Sequence, residues 1–268
     1  MLATNRAGRI ALALLLALSA QWLSWTTDAQ TIRVMTYNVK SFEGAVETTL
    51  GHKYVMKPFF DAFDKVSPDI CVINELEVYT DALGDRNPLA ELAGHLGMHY
   101  YFCKSYDRTE LMRGAGLYGN GILSRYPIIR MDCRRLSMPT GSSDPRSVFW
   151  ADLLLPNGKV IRVVGTHLDH TGGQVEQLSE ILKRSEVFET NCPIIMMGDF
   201  NTGPGTVSYA LGLFGNRLAI SANNWVDYIL TTPDIKCGSP MVDLFSINHE
   251  GTSYDISDHA SVYMDLTL

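Results

Sequence analysis

Short apolar runs rich in β-branched residues recur along this chain and end at polar residues. They are Ile32–Val39, Asp69–Asn74, Gly121–Ser124, Val148–Leu155, Val160–His167, Pro193–Gly198, Trp225–Leu230 and Ala260–Leu266. Each run has the length and composition of a β-strand. Because these runs outnumber the helical patterns, the chain is predicted to fold around β-sheets.

Helical patterns lie between some of these runs. Tyr54–Val66 and Gln174–Glu189 place apolar side chains along one face, and Pro88–Leu96 is a shorter helix that ends at Gly97. Two sheets packed face to face, with helices outside, would bury the apolar runs on both sides. A doubly wound sheet fits the same periodicity, so the pattern alone leaves both α/β architectures open.

Polar side chains at the ends of the predicted strands are the most informative feature for function. They are Asn38, Glu75, His167, Asp199, Asn201, Asp258 and His259. One such residue would usually cap a helix or form a turn. Their recurrence at several strand ends indicates a site assembled on a rigid scaffold.

The residue types suit the hydrolysis of phosphate esters. Mg²⁺ binds few protein oxygens and keeps several waters, so Glu75 with Asn38 would suffice to hold it. Asp199 can orient or deprotonate the attacking water, and Asn201 can steady the water or the phosphate. Histidine is the usual proton carrier near neutral pH, particularly when a carboxylate fixes its ring.

The beginning of the chain has the pattern of a secretory signal. Arg6 and Arg9 precede the apolar run Ile10–Ala20, which is well short of the roughly 20 residues that cross a bilayer. We expect a signal peptide over residues 1–29, with cleavage after Ala29 or after Ala20, and hence an exported protein. A membrane-anchoring or disordered leader is the alternative. Residues 30–268 are predicted to form one domain.

Charge and cysteine content restrict the partners. The 268-residue chain has a formal net charge of −7, which disfavours strong nonspecific binding to nucleic acid. It contains 5 cysteines, none in C-x-x-C pairs or at zinc-finger spacing. One disulfide is compatible with export, but the sequence does not indicate its partners.

A set of motifs in fixed order resembles the endonuclease/exonuclease/phosphatase superfamily. The motifs are TYNV (36–39), INE (73–75), YGNGILSRYPI (118–128), GTHLDH (165–170), GDFN (198–201), VDYIL (226–230) and SDHASV (257–262). The resemblance spans roughly residues 32–268, and GDFN followed by SDH is its most specific part. It implies a DNase-I-like four-layer α/β-sandwich, with two mostly antiparallel sheets flanked by helices.

The resemblance also implies a role for each matching residue. The implied ligands of Mg²⁺ or Mn²⁺ are Asn38, Glu75 and Asp258. The implied catalytic residues are His167, Asp199, Asn201, Asp227 and His259, with Asp227 hydrogen-bonded to His259. Whether Asp199 or His259 is the general base stays open at this point.

Some positions carry competing interpretations. Arg146 and Asn120 match phosphate-binding positions, whereas a solvated arginine at a strand start and an asparagine in a turn are the alternatives. Asp169 and His170 extend the THL motif, as in a group of small bacterial metal-dependent hydrolases, and contact with substrate is open for both. The polar segment Asp132–Asp144 is a candidate rim loop.

Departures from particular branches bear on the substrate. Abasic-site endonucleases carry an acidic residue where this chain has Lys40, and a tyrosine where it has His167. Lipid-cleaving members often carry an exposed aromatic hairpin, and Phe102, Tyr106 and Tyr118 do not form an obvious one. Basic loops that would grip DNA are not evident in the sequence.

The sequence therefore predicts an exported, metal-dependent phosphoesterase that hydrolyses a phosphodiester or phosphomonoester by in-line attack of water. The alternatives are a noncatalytic binding module with the same fold, a nuclease, or a sphingomyelinase-like lipid phosphodiesterase. An unrelated secreted sandwich would leave the order of the motifs to chance. We expect a monomer with a phosphate-ester substrate and no membrane span once the signal is removed.

Overall fold

The computed structural model describes residues 29–42, 56–108, 115–142, 144–249 and 251–268. The predicted leader, including Ile10–Ala20 and one of its two cleavage sites, lies outside the described residues. Within the described ranges, no helix has the length and apolar character that crossing a membrane requires.

Two large sheets form the centre of the molecule. Their strands, together with those of a small separate ribbon, are β1 (Thr31–Asn38), β2 (Ile70–Val78), β3 (His99–Arg108), β4 (Gly116–Ser124), β5 (Ile128–Arg135), β6 (Ser147–Leu154), β7 (Val160–His167), β8 (Ile194–Asp199), β9 (Ala219–Asn224), β10 (Asp227–Thr231), β11 (Lys236–Cys237), β12 (Met241–Asp243), β13 (Ser246–His249), β14 (Thr252–Asp255) and β15 (Ser261–Thr267). The first sheet has the order β11–β15–β1–β2–β4–β3, with β12 also paired to β15. The second has the order β5–β6–β7–β8–β10–β9, and β13 pairs with β14.

Each large sheet is antiparallel except for one parallel pair, β1–β2 in the first and β7–β8 in the second. Parallel neighbours end at the same edge of a sheet. Asn38 is therefore paired with Asn74, and His167 with Asp199. The antiparallel strand β10 begins where β8 ends, which sets Asp227 opposite Asp199.

Helices cover the outer faces of the two sheets. They are α1 (Lys57–Val66), α2 (Pro88–Leu96), α3 (Gln174–Leu182), α4 (Ser185–Phe188) and α5 (Pro204–Gly212). Helices α1 and α2 pack on the first sheet, and the other three pack on the second. The predicted four-layer α/β-sandwich is confirmed, and a single doubly wound sheet is excluded.

The alternation within β1 shows why its apolar run is continuous. Ile32 and Val34 belong to the core between the two sheets, whereas Met35 and Tyr37 belong to the core beneath α1 and α2. Successive strand residues point to opposite faces, so a strand buried on both sides needs apolar residues at every position.

Helix boundaries follow the sequence where local capping dominates. Helix α2 spans the predicted residues because Asn87 accepts the Ala90 backbone N–H at 3.0 Å and Gly97 ends the helix in the left-handed conformation. The prediction of one helix over Gln174–Glu189 was wrong. The backbone is extended at Arg184, with ψ of 110°, and the chain divides there into α3 and α4. The buried Arg162 side chain donates two hydrogen bonds to the carbonyls of Glu186 and Val187 within α4.

Several elements were not expected from the sequence. Strand β3 and helix α5 were missed, and β5 occupies the first part of the predicted rim loop Asp132–Asp144. A disulfide between Cys103 and Cys133 joins β3 to β5, the edge strands of the two sheets. The half-exposed, polar character of edge strands makes their apolar pattern weak.

Candidate active site

A β-bulge in β2 directs Glu75 toward the junction of the two sheets. Asn74 and Glu75 together oppose Asn120 of β4, because the pairing shifts between Ile73 and Leu76. Glu75 has φ of 60°, which is uncommon for a residue other than glycine. Bulges of this kind re-aim side chains beside active sites.

Asn38, at the end of β1, joins carboxylates from both sheets. Its amide nitrogen donates to Glu75 Oε1 at 2.9 Å and to Asp199 Oδ2 at 3.1 Å. Its amide oxygen accepts the backbone N–H of Lys40 at 3.0 Å. In this orientation Asn38 positions the two carboxylates, and its predicted service as a metal ligand stays a prediction.

Asn74 is a supporting residue that the sequence analysis missed. Its Nδ2 donates at 2.9 Å to Asn120 Oδ1 and to the carbonyl of Thr166, and its Oδ1 accepts the Asp199 backbone N–H at 3.0 Å. It therefore ties the strands that carry Glu75, His167 and Asp199 to one another. Its place directly before Glu75 was the available signal.

Asn120 lies behind this network. It sits within β4, so the turn alternative was wrong, and its side chain is only 1% exposed. Its Oδ1 accepts from Asn74 and its Nδ2 lies 3.4 Å from Ser147 Oγ. The structure gives Asn120 a supporting place beneath the site, and its predicted phosphate contact stays a prediction.

The turn after β8 presents Asp199 and Asn201 together. At Gly198, which has φ of 147°, an added Cβ would lie 1.9 Å from the Thr166 carbonyl oxygen, so only glycine fits before Asp199. The Asn201 backbone N–H donates to Asp199 Oδ1 at 2.8 Å. Asn201 Nδ2 donates to the Leu168 carbonyl and lies 2.9 Å from His167 Nε2. The D-x-N pair is thus fixed against the end of β7.

His259 stands over this cluster, held by Asp227. Its Nδ1 donates to Asp227 Oδ2 at 2.8 Å, and its Nε2 lies 3.8 Å from Asp199 Oδ2. Ser257 Oγ accepts the His259 backbone N–H and donates to the Asn38 carbonyl at 2.7 Å. The predicted pairing of Asp227 with His259 is confirmed.

The electrostatic environment separates the two histidines. Burial lowers the pKa of His259, but the Asp227 hydrogen bond and the charges of Asp227, Asp199 and Asp258 outweigh it and raise the pKa to about 9. Burial and the charge of Arg146 hold the pKa of His167 well below its usual range. At neutral pH, His259 is therefore an imidazolium and His167 a neutral ring.

The pKa values of the carboxyl groups in the site are raised above their ordinary values. Burial, with the charge of Asp227, raises the pKa of Asp199 to about 6. Burial also raises the pKa of Glu75, and the Asn38 hydrogen bond only partly offsets it. Burial raises the pKa of Asp227 against the opposing hydrogen bond from His259. Like charges crowded in a low-dielectric site produce such shifts.

Arg146 contacts the rings of His167 and His170. Its Nη1 is 3.0 Å from His167 Nδ1, and its Nη2 is 3.2 Å from His170 Nδ1. Asp169 is fully buried and bonds to Ser142 and Thr171, so it shapes the loop and does not line the cleft. Arg146 is buried, and its Nε has no hydrogen-bond partner among the described residues, which suits an anion-binding group.

The donor set fits a hard divalent cation. Ligand atoms of Glu75, His167 and Asp199 lie within 4.8 Å of one another, as do those of Asp199, Asp227 and His259. Oδ1 of Asp227 is buried without a hydrogen-bond partner in the described structure. Carboxylate oxygens are the ligands that Mg²⁺ and Mn²⁺ prefer, and a cation would relieve their mutual repulsion.

Asp258 stands apart from these groups. Its side chain is 58% exposed and lies 3.1 Å from Lys40 Nζ in an ion pair. It is not in either ligand group found among the described residues. Its predicted contribution to the metal stays a prediction.

Two clefts reach the cluster from different sides. A polar cleft of about 320 Å³ includes Glu75 in its lining, together with the basic side chains Lys40, Arg108, Arg146 and His170 and the acidic side chains Glu77 and Asp144. A second cleft of about 280 Å³ ends at His259 and includes Trp225 and Asp258 in its lining. A substrate held at the cluster can extend into both.

A family comparison agrees with the motif order. The model of the Endonuclease/Exonuclease/phosphatase family matches residues 35–259. That range contains every residue of the hydrogen-bonded cluster.

Individual relatives extend the comparison. The uncharacterized protein YbhP of Escherichia coli strain K12 is 27% identical over 187 residues, which cover 65% of this chain and 68% of YbhP. A mannosyl-6-phosphatase of Bacteroides thetaiotaomicron superposes with a TM-score of 0.71 at 19% identity, covering 88% of this chain and 100% of the other. An endonuclease/exonuclease/phosphatase family protein of the same species gives 0.71 at 17% identity, with 90% and 99% covered. These structural likenesses show a shared fold.

Proposed function

Because the chain belongs to the endonuclease/exonuclease/phosphatase family, we propose that it is a divalent-metal-dependent hydrolase of phosphate esters. The observation that carries the proposal is the bridge that Asn38 makes between Glu75 and Asp199. It joins the metal-binding carboxylate of one sheet to the catalytic carboxylate of the other. His259 and His167 complete the same cluster, so every group that phosphate-ester hydrolysis needs is within reach.

Glu75 is the principal metal-holding residue in this proposal, with Asp199 close enough to assist. When bound, Mg²⁺ or Mn²⁺ would supply positive charge at the phosphate oxygens and at the developing alkoxide. Asn38 keeps Glu75 in place through its amide N–H. Burial raises the pKa of Glu75, and a bound cation would favour its ionised form.

Asp199 is the better candidate for general base. Its raised pKa, about 6, leaves it ionised at neutral pH and more basic than an ordinary aspartate. The Asn201 N–H holds one of its oxygens and Asn38 holds the other. A water beside Asp199 would lose its proton to this carboxylate while its oxygen bonds to phosphorus. The P–O bond to the alcohol would break on the opposite side, and the leaving alcohol oxygen would take a proton from solvent.

His259 acts as a positively charged partner of the phosphate. With a pKa raised to about 9 by Asp227 and the neighbouring carboxylates, it is protonated at neutral pH and cannot accept a proton from water. Its Nε2–H is free of Asp227 and donates toward the reacting phosphate. Arg146 and Asn201 supply further N–H donors, and both lie within hydrogen-bonding distance of the His167 ring.

A small phosphomonoester is the favoured substrate. The net charge of −7 does not favour a polymeric nucleic acid, and the fold neighbour named mannosyl-6-phosphatase acts on a small phosphate ester by its name. The cations of the polar cleft suit a compact dianionic phosphate better than a long strand. Phosphodiesters, including nucleic acid and sphingomyelin-like lipids, are the alternatives.

Export follows from the leader in this proposal. Arg6 and Arg9 before the apolar run Ile10–Ala20 support secretion and removal of residues 1–29. The protein would then release phosphate from nutrients outside the cytoplasm, as a monomer. N-terminal sequencing of protein from the periplasm or medium tests this, and an intact Met1 on cytoplasmic protein would contradict it.

A substrate panel tests the enzymatic proposal. The purified protein is incubated with Mg²⁺ or Mn²⁺ and with sugar phosphates, nucleotides, inositol phosphates, DNA, RNA, sphingomyelin and bis-nitrophenyl phosphate. We expect release of phosphate or alcohol that stops with a chelator and in the His259→Ala variant. Activity that survives both treatments would contradict the assignment. Binding of Mg²⁺ by calorimetry without turnover of any substrate would favour the noncatalytic module.

A further inference from the structure

Trp225 is the most exposed large apolar side chain in the described structure. The indole is 82% exposed, at the tip of the hairpin between β9 and β10. It borders the cleft of about 280 Å³ that ends at His259. An indole buries a large apolar area when it is used in a core, so leaving it in water forgoes that stabilisation.

The backbone at Trp225 is held in an uncommon conformation. Its φ of 57° lies in the left-handed region, where glycine or asparagine is the usual choice in a tight turn. The sequence prediction of a strand beginning at Trp225 was wrong for this reason, since β10 begins at Asp227. A bulky residue at such a position calls for a functional explanation.

The turn is also fixed to the catalytic strands. The Tyr228 hydroxyl donates to the Thr202 carbonyl at 2.8 Å, and the Trp225 carbonyl lies 3.2 Å from the same hydroxyl oxygen. The Phe200 N–H donates to the Val226 carbonyl at 2.7 Å. Phe200 lies between Asp199 and Asn201 in the chain, so the backbone that carries the indole is held beside these two residues.

The cleft beside Trp225 combines one flat apolar face with hydrogen-bonding groups. Asn201, Asn224 and Asp258 line it together with His259. Its volume of about 280 Å³ equals that of about nine waters at ~30 Å³ each, which suits one ring better than a polymer. Lys40, Arg108 and Arg146 line the other cleft, and His259 stands at the inner end of this one.

We propose that Trp225 is the stacking platform for a ring in the organic part of the substrate. This inference rests on the proposed phosphoesterase function. The ring lies against the indole, while its hydroxyl or amino groups bond to Asp258 and Asn224. The shared chemistry is a flat or flat-faced polar ring attached to phosphate, which a hexose phosphate or a nucleotide can supply. Stacking on an aromatic side chain tolerates different rings because it needs only a face.

Kinetics with matched substrates test the platform. A hexose 6-phosphate, a nucleoside 5′-monophosphate and glycerol 1-phosphate, which has no ring, are compared in the wild type, Trp225→Ala and Trp225→Phe. We expect Trp225→Ala to lower the ratio of kcat/KM for the ring substrate over glycerol phosphate by about tenfold, mainly through KM. Trp225→Phe should recover most of that ratio. The hexose and nucleotide arms identify which ring is used.

A control variant separates stacking from general damage. Tyr209 is 62% exposed on α5 and lines neither cleft, so Tyr209→Ala should leave all three rates unchanged. An unchanged ratio in Trp225→Ala, with glycerol phosphate still hydrolysed, would overturn the platform and leave the phosphoesterase function standing. A loss that is equal for all three substrates would overturn it as well.

Indole fluorescence tests binding without turnover. The chain has 4 tryptophans, and Trp150 is buried, so Trp225→Phe removes the one exposed indole of the described residues. In the His259→Ala variant, addition of hexose phosphate or nucleotide should quench the emission of Trp225. The double variant with His259→Ala and Trp225→Phe should show no such quenching. Quenching without turnover in the wild type would keep the platform and reject the phosphoesterase. If neither quenching nor turnover occurs, both proposals fail.

Discussion

His259 donates from Nδ1 to Oδ2 of Asp227 at 2.8 Å, and the other nitrogen of its ring lies 3.8 Å from Oδ2 of Asp199. The ring is thereby held between two carboxylates that come from adjacent strands of the second sheet. Asp227 fixes the orientation of the ring and favours its protonated form, whereas Asp199 Oδ2 lies on the Nε2 side of the ring. In the proposed mechanism, the positively charged group is therefore His259 and the general base is Asp199.

Asp227→Asn should lower kcat by about a hundredfold, in the usual range for loss of a positioned acid or base. Asparagine keeps the size of the side chain but removes the charge that stabilises protonated His259. The pKa of His259 then falls from about 9 toward its ordinary value, so the alkaline limit of activity moves to lower pH. Initial rates measured across pH for both proteins check this.

The control for that variant is Asp234→Asn, an exposed aspartate that lies outside the cleft that ends at His259. It should retain the kcat and pH limits of the wild type. If Asp227→Asn kept near wild-type turnover, His259 would not depend on its partner, and the arrangement proposed for the site would be lost.

The pH dependence of the wild type should be bell-shaped. Activity needs ionised Asp199, so it rises as pH increases through about 6, the raised pKa of that carboxyl. It also needs protonated His259, so it falls as pH increases through about 9. Measurement of kcat/KM at saturating Mg²⁺ over a pH range that extends beyond both limits tests the assignment. A rate that kept rising as pH increased through about 9 would contradict the need for protonated His259 and would favour His259 as the base.

Glu75→Gln should weaken Mg²⁺ binding by at least about tenfold, because an amide oxygen replaces the carboxylate that carries the charge. Calorimetric titration of Mg²⁺ into the variant and the wild type measures this directly. Glu189→Gln, at an exposed position outside the cluster, is the matched control. Equal affinities for all three proteins would remove Glu75 from the metal site.

Asp152→Ala should destabilise the fold by about 3–5 kcal/mol, the usual cost of leaving one charge of a buried pair without its partner. Arg162 donates to both oxygens of Asp152, at 2.6 and 2.8 Å, and also holds the carbonyls at α4. Urea denaturation gives the free energy of unfolding. Replacing both residues, as in Asp152→Leu with Arg162→Met, should recover part of the loss, and a larger loss in the double variant would contradict this account.

Reduction of the disulfide between Cys103 and Cys133 should lower the free energy of unfolding by about 2–4 kcal/mol, since the bond closes a loop with a sequence separation of 30. Thermal unfolding with and without reductant measures the effect. The Cys103→Ala, Cys133→Ala double variant should unfold like the reduced wild type and should not respond to reductant. A wild type that is insensitive to reductant would argue against the bond.

The order of the motifs in the sequence predicted many of the residues that the structure brings together. Asn38, Glu75, Asp199 and His259 were predicted because each follows or precedes an apolar strand. Continuous apolar runs indicate strands that are buried on both faces. The residues that end those strands lie where the strands leave the sheet. The pairing of Asp227 with His259 was available only through family resemblance, since the two are far apart in sequence.

Other features depended on tertiary structure. Asn74 looked like an ordinary strand residue until the second sheet placed the Thr166 carbonyl and the Asp199 N–H beside it. Arg162 holds α4 through the carbonyls of Glu186 and Val187, and no local pattern connects this distant residue to the helix.

The apolar runs alone indicated that this chain builds sheets whose strands end in polar groups, because burial on two faces requires apolar residues at successive positions. Tertiary packing decided which ends meet. Bringing Glu75 and Asp199 onto one Asn38 amide requires two sheets to pack at a particular registration. It is that packing, and the desolvation and repulsion that come with it, that raises the pKa of both carboxyls.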